Sequence, residues 1–92
     1  MSETLNSDYD YDPMSFDIMR ETANRVVANY IAWEREASDP REAEHWQSER
    51  FRTRQEVRAV NPDSLRAVEA ETEQLRSTLA RMPEHAPAPA PA

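Results

Sequence analysis

Three observations on the sequence predict an all-α protein that folds as a small three-helix bundle. The chain of 92 residues contains no glycine, although tight β-hairpin turns usually need glycine at positive φ. Asp-Pro or Asn-Pro pairs, which are typical of helix starts, divide it into segments of similar length. Between these pairs, apolar residues recur at three- and four-residue steps. We therefore expect helices over about residues 13–37, 40–60 and 63–82, following the pairs Asp12-Pro13, Asp39-Pro40 and Asn61-Pro62.

Composition excludes several classes of protein. The chain has no cysteine, which rules out disulfides and thiolate chemistry, and no glycine for a phosphate-binding loop. It contains no run of about 18 apolar residues and no signal-peptide pattern, so we expect a cytoplasmic protein without a membrane partner. The two histidines, His45 and His85, lack partners at metal-ligand spacing. We expect neither an enzyme nor a cofactor.

Charge is distributed unevenly along the chain, whose net charge is −7. Residues 1–40 contain nine acids and three arginines, whereas residues 41–82 contain eight of each. Nucleic-acid binding requires a basic face, which this balance does not supply, so we expect no nucleic-acid partner. The acidic half is better suited to steering the encounter with a basic protein.

The first predicted helix carries the widest apolar stripe. Asp12 is expected to cap it and Pro13 to occupy its first position. The preceding residues 1–11 show no helical periodicity, and aspartate alternates with tyrosine over residues 8–11. These residues are either a flexible solubilising segment or a contact segment, because tyrosine offers a large interface area. The stripe comprises Phe16, Met19, Ala23, Val26, Val27, Tyr30 and Trp33.

The second predicted helix begins with Asp39 as its cap, Pro40 as its first residue and Glu42 at the capping-box position. Three arginines at four-residue steps, Arg50, Arg54 and Arg58, share one face, with Arg52 off that face. We expect glutamates to pair with this face, and contact with a phosphate or an acidic partner is the alternative. The apolar stripe is poorer and consists of Ala43, Trp46, Phe51, Val57 and Val60.

The third predicted helix has apolar residues at alternating three- and four-residue spacing, which is typical of a bundle seam. Pro83 should end this helix, and residues 83–92 form a Pro/Ala tail that we expect to be disordered and to bury nothing. The seam is Leu65, Val68, Thr72, Leu75, Leu79 and Met82. The expected core is Val26, Tyr30, Trp46, Leu65, Val68, Leu75 and Leu79.

Short stretches of the first helix resemble the first long helix of epsilon antitoxins, the small partners of zeta toxins. The stretches are Phe16-Asp17-Ile18, Asn24-Arg25-Val26 and Asn29-Tyr30-Ile31, with Asn29-Tyr30 displaced by one residue. The resemblance covers about residues 9–82. The second helix differs from the family pattern, because it is aliphatic in epsilon antitoxins and arginine-rich in this chain.

The resemblance implies a function. Zeta toxins are P-loop kinases that phosphorylate UDP-activated amino sugars, and epsilon antitoxins cover their nucleotide site with the first helix. A kinase phosphate site is lined by basic groups and backbone N–H groups, which acidic side chains could meet in place of phosphate. The expected partner is therefore a zeta-like toxin kinase. The expected contact residues are Tyr9, Tyr11, Asp12, Phe16, Asp17, Glu21 and Arg25.

Two other interpretations remain open. A self-associating helical adaptor would use the seam of the third helix as its interface. An inhibitor of Fic toxins would carry a Ser/Thr-x-x-x-Glu-Gly/Asn motif. Ser38 and Glu42 have the spacing of that motif, but Ala43 occupies its last position.

Overall fold

The computed structural model describes residues 13–87, which fold into three α-helices and contain no strand. Helix α1 spans Met14–Glu36, α2 spans Pro40–Arg58 and α3 spans Leu65–Arg81. The prediction of a small all-α three-helix bundle is confirmed. None of these helices has the combination of length and apolarity needed to cross a membrane, within the residues described.

The starts of α1 and α2 follow from local hydrogen bonding. Pro13 has helical dihedral angles and its carbonyl oxygen accepts from the backbone N–H of Asp17 at 3.3 Å. Its predicted capping residue, Asp12, lies outside the described residues. At α2, Asp39 accepts from the N–H of Glu42 at 2.8 Å, as predicted, and Glu42 accepts in return from the N–H of Ser38 at 3.3 Å. The bond to Asp39 satisfies a donor that the helix start leaves without a partner, and the bond from Ser38 ties the preceding residue to the first turn.

Helix α3, predicted from about residue 63, begins at Leu65, and its cap is Ser64 rather than Asn61. The Ser64 hydroxyl oxygen accepts from the N–H of Ala67 at 3.1 Å, and α3 begins at Leu65. The side-chain oxygen of Asn61 instead accepts from the N–H of Asp63 at 3.0 Å, which is the local bond of an Asx turn. Asn61 and Pro62 therefore form the turn that leads into the helix.

Helix α1 is the shared packing partner of the other two helices. Both α2 and α3 lie against it, and they barely touch each other. The aromatic rings of Tyr30 and Trp46 stack with centroids 5.8 Å apart, and Trp33 meets Trp46 edge-on at 4.8 Å, which ties α1 to α2. The buried apolar residues are Met19, Ala23, Val26, Val27, Tyr30, Trp33, Trp46, Val68 and Leu75.

Two expectations about the core need correction. Phe51 was placed on the apolar stripe of α2, but its side chain is 63% exposed. Five residues turn a helix by about 500°, so Phe51 points roughly 140° away from Trp46. Thr53, two turns after Trp46, is buried instead, and its hydroxyl donates to the Glu49 carbonyl at 2.9 Å. Leu65 and Leu79 are only partly buried.

The beginning of the Pro/Ala tail contacts the core, contrary to the expectation that the tail buries nothing. The indole N–H of Trp33 donates to the Glu84 carbonyl at 3.4 Å, and Ala86 packs against the core cluster. His85 Nδ1 lies 3.4 Å from a carboxylate oxygen of Glu36. Residues 83–87 therefore lie against the C-terminal part of α1, and the rest of the tail is outside the described residues.

Candidate partner-binding surfaces

One side of α1 is exposed along the length of the helix. Its exposed residues follow each other at alternating four- and three-residue steps, which keep them on one face of a helix. Helix α1 packs its opposite side against α2 and α3, and at the edge of this surface Ile18 lines a groove of about 290 Å³ together with Thr72 and Arg76 of α3. We call the exposed side the outer face; it consists of Met14, Ile18, Glu21, Arg25, Ala28 and Ala32, with Asp17 beside them.

The chemistry of the outer face is unusual for a solvated helix surface. Met14 is 56% exposed and Ile18 is 37% exposed, although both side chains are large and apolar. Beside them, Asp17 and Glu21 are exposed and make no ion pair with any residue between 13 and 87. The face therefore combines apolar area with carboxylates that are available to bind a basic group.

The structure brings together three of the seven residues predicted to contact a partner. Asp17, Glu21 and Arg25 all lie on the outer face. Phe16 does not, because it points toward α2 and packs, half-buried, against the core. The other three, Tyr9, Tyr11 and Asp12, lie outside the described residues.

Phe16 instead lines a groove between α1 and the end of α2. The groove has a volume of about 390 Å³, and its basic side chains are Arg20, Arg54 and Arg58, none of which forms an ion pair within the described part of the chain. Among the described residues, Arg50 is the one member of the arginine face that pairs with a glutamate, and its Nε lies 3.0 Å from Glu34. The groove offers positive charge beside apolar walls.

Arg52, predicted to lie off the arginine face, forms ion pairs with two glutamates. Its guanidinium group lies 2.6 Å from Glu49 and 2.6 Å from Glu56, one turn before it and one turn after it. The hydrogen bond with Glu49 raises the pKa of Arg52 above its ordinary value. These pairs occupy the surface of α2 beside Tyr30, and burial together with the charge of Glu49 raises the pKa of the Tyr30 phenol.

A second groove, of about 730 Å³, separates α2 from α3. Val26 and Tyr30 of α1 contribute to its lining, and Glu71 of α3 lines it together with Arg52 of α2. One carboxylate oxygen of Glu71 is buried and has no hydrogen-bond partner among residues 13–87. Burial, followed by the charge of Glu56, raises the pKa of this carboxyl group. No sequence signal distinguished Glu71 from its neighbours, because its burial depends on how far α2 stands from α3.

The histidines do not form a site. The His45 ring lies against that of Trp46 with centroids 4.5 Å apart, and His85 is exposed beside Glu36. Between residues 13 and 87, no three side chains of His, Asp or Glu are grouped so that they could hold a metal ion.

Comparisons of the chain with protein-family models, with curated proteins and with solved structures find no match. The resemblance to epsilon antitoxins therefore stays a prediction, and the outer face of α1 is the part of the structure on which it can be tested.

Proposed function

We propose that the protein is a cytoplasmic inhibitor of a zeta-type P-loop kinase toxin, and that it binds this partner through the start of α1. The observation that carries the proposal is the pair of exposed carboxylates on the outer face, Asp17 and Glu21, which form no ion pair within residues 13–87 and lie beside the exposed apolar side chains of Met14 and Ile18. The acidic residues 1–12 precede this surface directly in the sequence.

The proposed mechanism is occupation of a phosphate site by carboxylates. A P-loop kinase surrounds its nucleotide phosphates with lysine, arginine and backbone N–H groups. Asp17 and Glu21 would pair with these groups, while Met14 and Ile18 cover apolar surface nearby. Desolvated charge pairs of this kind slow dissociation, and the negative field of the first half of the chain accelerates association.

Two observations concern the residues on which the alternative interpretations depend. The seam of α3 is not free to join a second chain, because Val68, Thr72 and Leu75 are buried within the bundle. In the Fic-type motif, the carboxylate of Glu42 already accepts hydrogen bonds from Ser38 at the start of α2.

Titration of toxin kinase activity with two variants tests the proposal. Asp17→Asn combined with Glu21→Gln removes the two carboxylates and leaves the buried stripe intact. We expect this variant to stay folded and to lose about 2–5 kcal/mol of binding free energy if the acids form buried pairs. Association should also slow and depend less on salt, and high ATP should compete with the native protein.

The matched control removes the same charge elsewhere. Glu44→Gln combined with Asp63→Asn alters exposed acids of α2 and of the turn before α3, and should inhibit like the native chain. Removal of residues 1–11 with Asp12→Ser, which keeps a capping side chain, measures the contribution of the segment that contains Tyr9 and Tyr11. Equal inhibition by the native chain and the Asp17/Glu21 variant would contradict the mechanism, and no inhibition by either would contradict the function.

A further inference from the structure

The groove between α1 and the end of α2 is a basic site in an acidic chain. Arg20 lines it from α1, and Arg54 and Arg58 line it from α2. None of the described residues in its lining is an aspartate or a glutamate, although the net charge of the chain is −7. We call this site the arginine groove. It concentrates three positive charges beside apolar side chains, so an anionic occupant with an apolar part would match both features.

The three arginines of this groove lack the partners that other arginines of α2 have. Arg50 and Arg52 pair with glutamates. Arg20, Arg54 and Arg58 form no ion pair with any residue between 13 and 87. Arg54 and Arg58 are also four residues apart on one helix, where like charges repel each other. An occupant that carries carboxylates would relieve this repulsion.

We propose that the arginine groove is the docking site of the chain's own acidic segment, residues 8–12. The sequence of this segment is Asp-Tyr-Asp-Tyr-Asp, with no basic residue. Guanidinium groups bind carboxylates through two parallel hydrogen bonds, and they also stack on aromatic rings. The three aspartates therefore match the three arginines. The tyrosine rings match the apolar side chains of the groove, which are those of Phe16, Val57 and Val60 together with a smaller alanine.

The position of the segment in the sequence places it within reach of the groove. Residue 12 directly precedes Pro13, and Phe16, one turn further along α1, already lines the groove. The groove extends along α1 from Phe16 to Asn24, a distance of about 12 Å. Five residues span at most about 17 Å. The segment is therefore long enough to cover the groove.

Attachment to the same chain favours this occupant over a separate acidic protein. A group joined by a short connection is present at an effective concentration in the millimolar range. A separate molecule would also lose its translational and rotational freedom on binding. Exposed pairs of arginine and aspartate contribute little individually, but several of them on a tethered segment are sufficient to hold it.

A spin label placed next to the segment tests the contact in the full chain. The chain contains no cysteine, so Ser7→Cys provides a unique attachment point for a nitroxide. A docked segment brings the label close to the end of α2, and the methyl NMR signals of Val57 and Val60 should broaden. The same chain with its label reduced to the diamagnetic form gives the reference intensities.

Two double substitutions in the labelled chain remove the charges from either side of the contact. Arg54→Gln with Arg58→Gln alters the groove. Asp8→Asn with Asp10→Asn alters the segment and leaves the predicted cap, Asp12, in place. Each double substitution should reduce the broadening about threefold or more, because the charge pairs are lost. Salt at about 1 M should reduce the broadening of the chain that retains all these charges, since it screens exposed pairs.

The matched control removes two exposed arginines elsewhere, by Arg41→Gln with Arg66→Gln, and should keep the broadening of the native charges. The segment variant is a second control, because it keeps the length of the connection and so reports chance encounters between the label and α2. Circular dichroism of each variant verifies the helices, since Arg41, Arg54, Arg58 and Arg66 are all exposed.

The absence of broadening from the labelled chain would overturn the proposal and leave the arginine groove to a separate acidic molecule. Broadening that survives either double substitution, or that is lost equally in the Arg41/Arg66 control, would also overturn it. The measurement contains no kinase, so its result is independent of the proposed inhibition. Binding of Tyr9 and Tyr11 to the kinase would require the segment to leave the groove.

Discussion

At the residue scale, the two tryptophans show how one side-chain type has two different roles. Both rings are buried in the aromatic cluster with Tyr30. The indole N–H of Trp33 donates to the Glu84 carbonyl, whereas that of Trp46 is buried without a hydrogen-bond partner among the described residues. Burying a hydrogen-bond donor that loses its water and gains no protein partner lowers the free energy of unfolding by about 1–3 kcal/mol.

Replacing each tryptophan by phenylalanine should separate these roles. Trp33→Phe removes a hydrogen bond together with ring area, and Trp46→Phe removes an unsatisfied donor together with similar area. We expect Trp33→Phe to lower the free energy of unfolding more than Trp46→Phe, by about 1 kcal/mol. Urea unfolding of the two variants measures the difference, and a larger loss for Trp46→Phe would contradict the assignment.

Glu71 predicts a pH dependence of stability. Burial raises its pKa above the ordinary 4.5, so the folded chain binds this proton more tightly than the unfolded chain does. The favourable contribution of the protonated Glu71 carboxyl to folding is therefore fully present below its ordinary pKa. It is lost as the pH rises through the raised pKa of the folded chain, where the carboxyl ionises. Glu71→Gln should increase the melting temperature at pH 7 and have much less effect near pH 4. Equal increases at both pH values would show that the charge of Glu71 is not the cause.

At the element scale, the first residues of the Pro/Ala tail contribute to the packing of the bundle. Ala86 packs against the core cluster and the Glu84 carbonyl accepts from Trp33, so the first residues after Pro83 cover the C-terminal part of α1. Truncation at two points tests this role. Removal of residues 88–92 should leave the melting temperature unchanged. Removal of residues 83–92 should cost about 1–2 kcal/mol, the value of a hydrogen bond and a small apolar contact.

Thermal unfolding of the two truncated chains provides the comparison. The shorter truncation is the control for the longer one, because both remove proline and alanine. If the two melting temperatures agree, the contacts of Glu84 and Ala86 do not contribute to stability.

At the scale of the whole molecule, stability depends on α1 because α2 and α3 share it as their packing partner. Leu75 is 3% exposed and joins α3 to the core cluster. Leu75→Ala should cost about 2–5 kcal/mol, through lost burial and the cavity left behind. In a domain of this size, that loss is comparable to the total stability, so α2 should unfold together with α3.

Phe51→Ala is the control for that experiment, since it removes a larger side chain from an exposed position of α2. It should change the free energy of unfolding by no more than about 0.5 kcal/mol. Chemical unfolding followed by circular dichroism measures both variants. Similar losses for Leu75→Ala and Phe51→Ala would contradict the burial pattern on which the fold depends.

Local interactions determined most of what could be predicted from the sequence. The helices, the Asp39 cap and the apolar stripe of α1 depend on residues within one or two turns of each other, so the sequence shows them directly. The error at α3 was also local, since Asn61 and Ser64 are both capping residue types and only their actual bonds distinguish the turn from the cap. For the candidate site, the sequence indicated the acids of the first helix.

Tertiary packing determined which surfaces are covered, because burial depends on how each helix is rotated about its axis and where its neighbours lie. The sequence placed Phe51 inside and the tail outside, yet Phe51 is exposed and Ala86 contacts the core. It also placed Phe16 with Asp17 and Glu21, although α2 packs on the side of α1 that carries Phe16. The outer face is exposed because α2 and α3 pack against other sides of α1. No pattern among neighbouring residues in the sequence indicates which sides of α1 they cover.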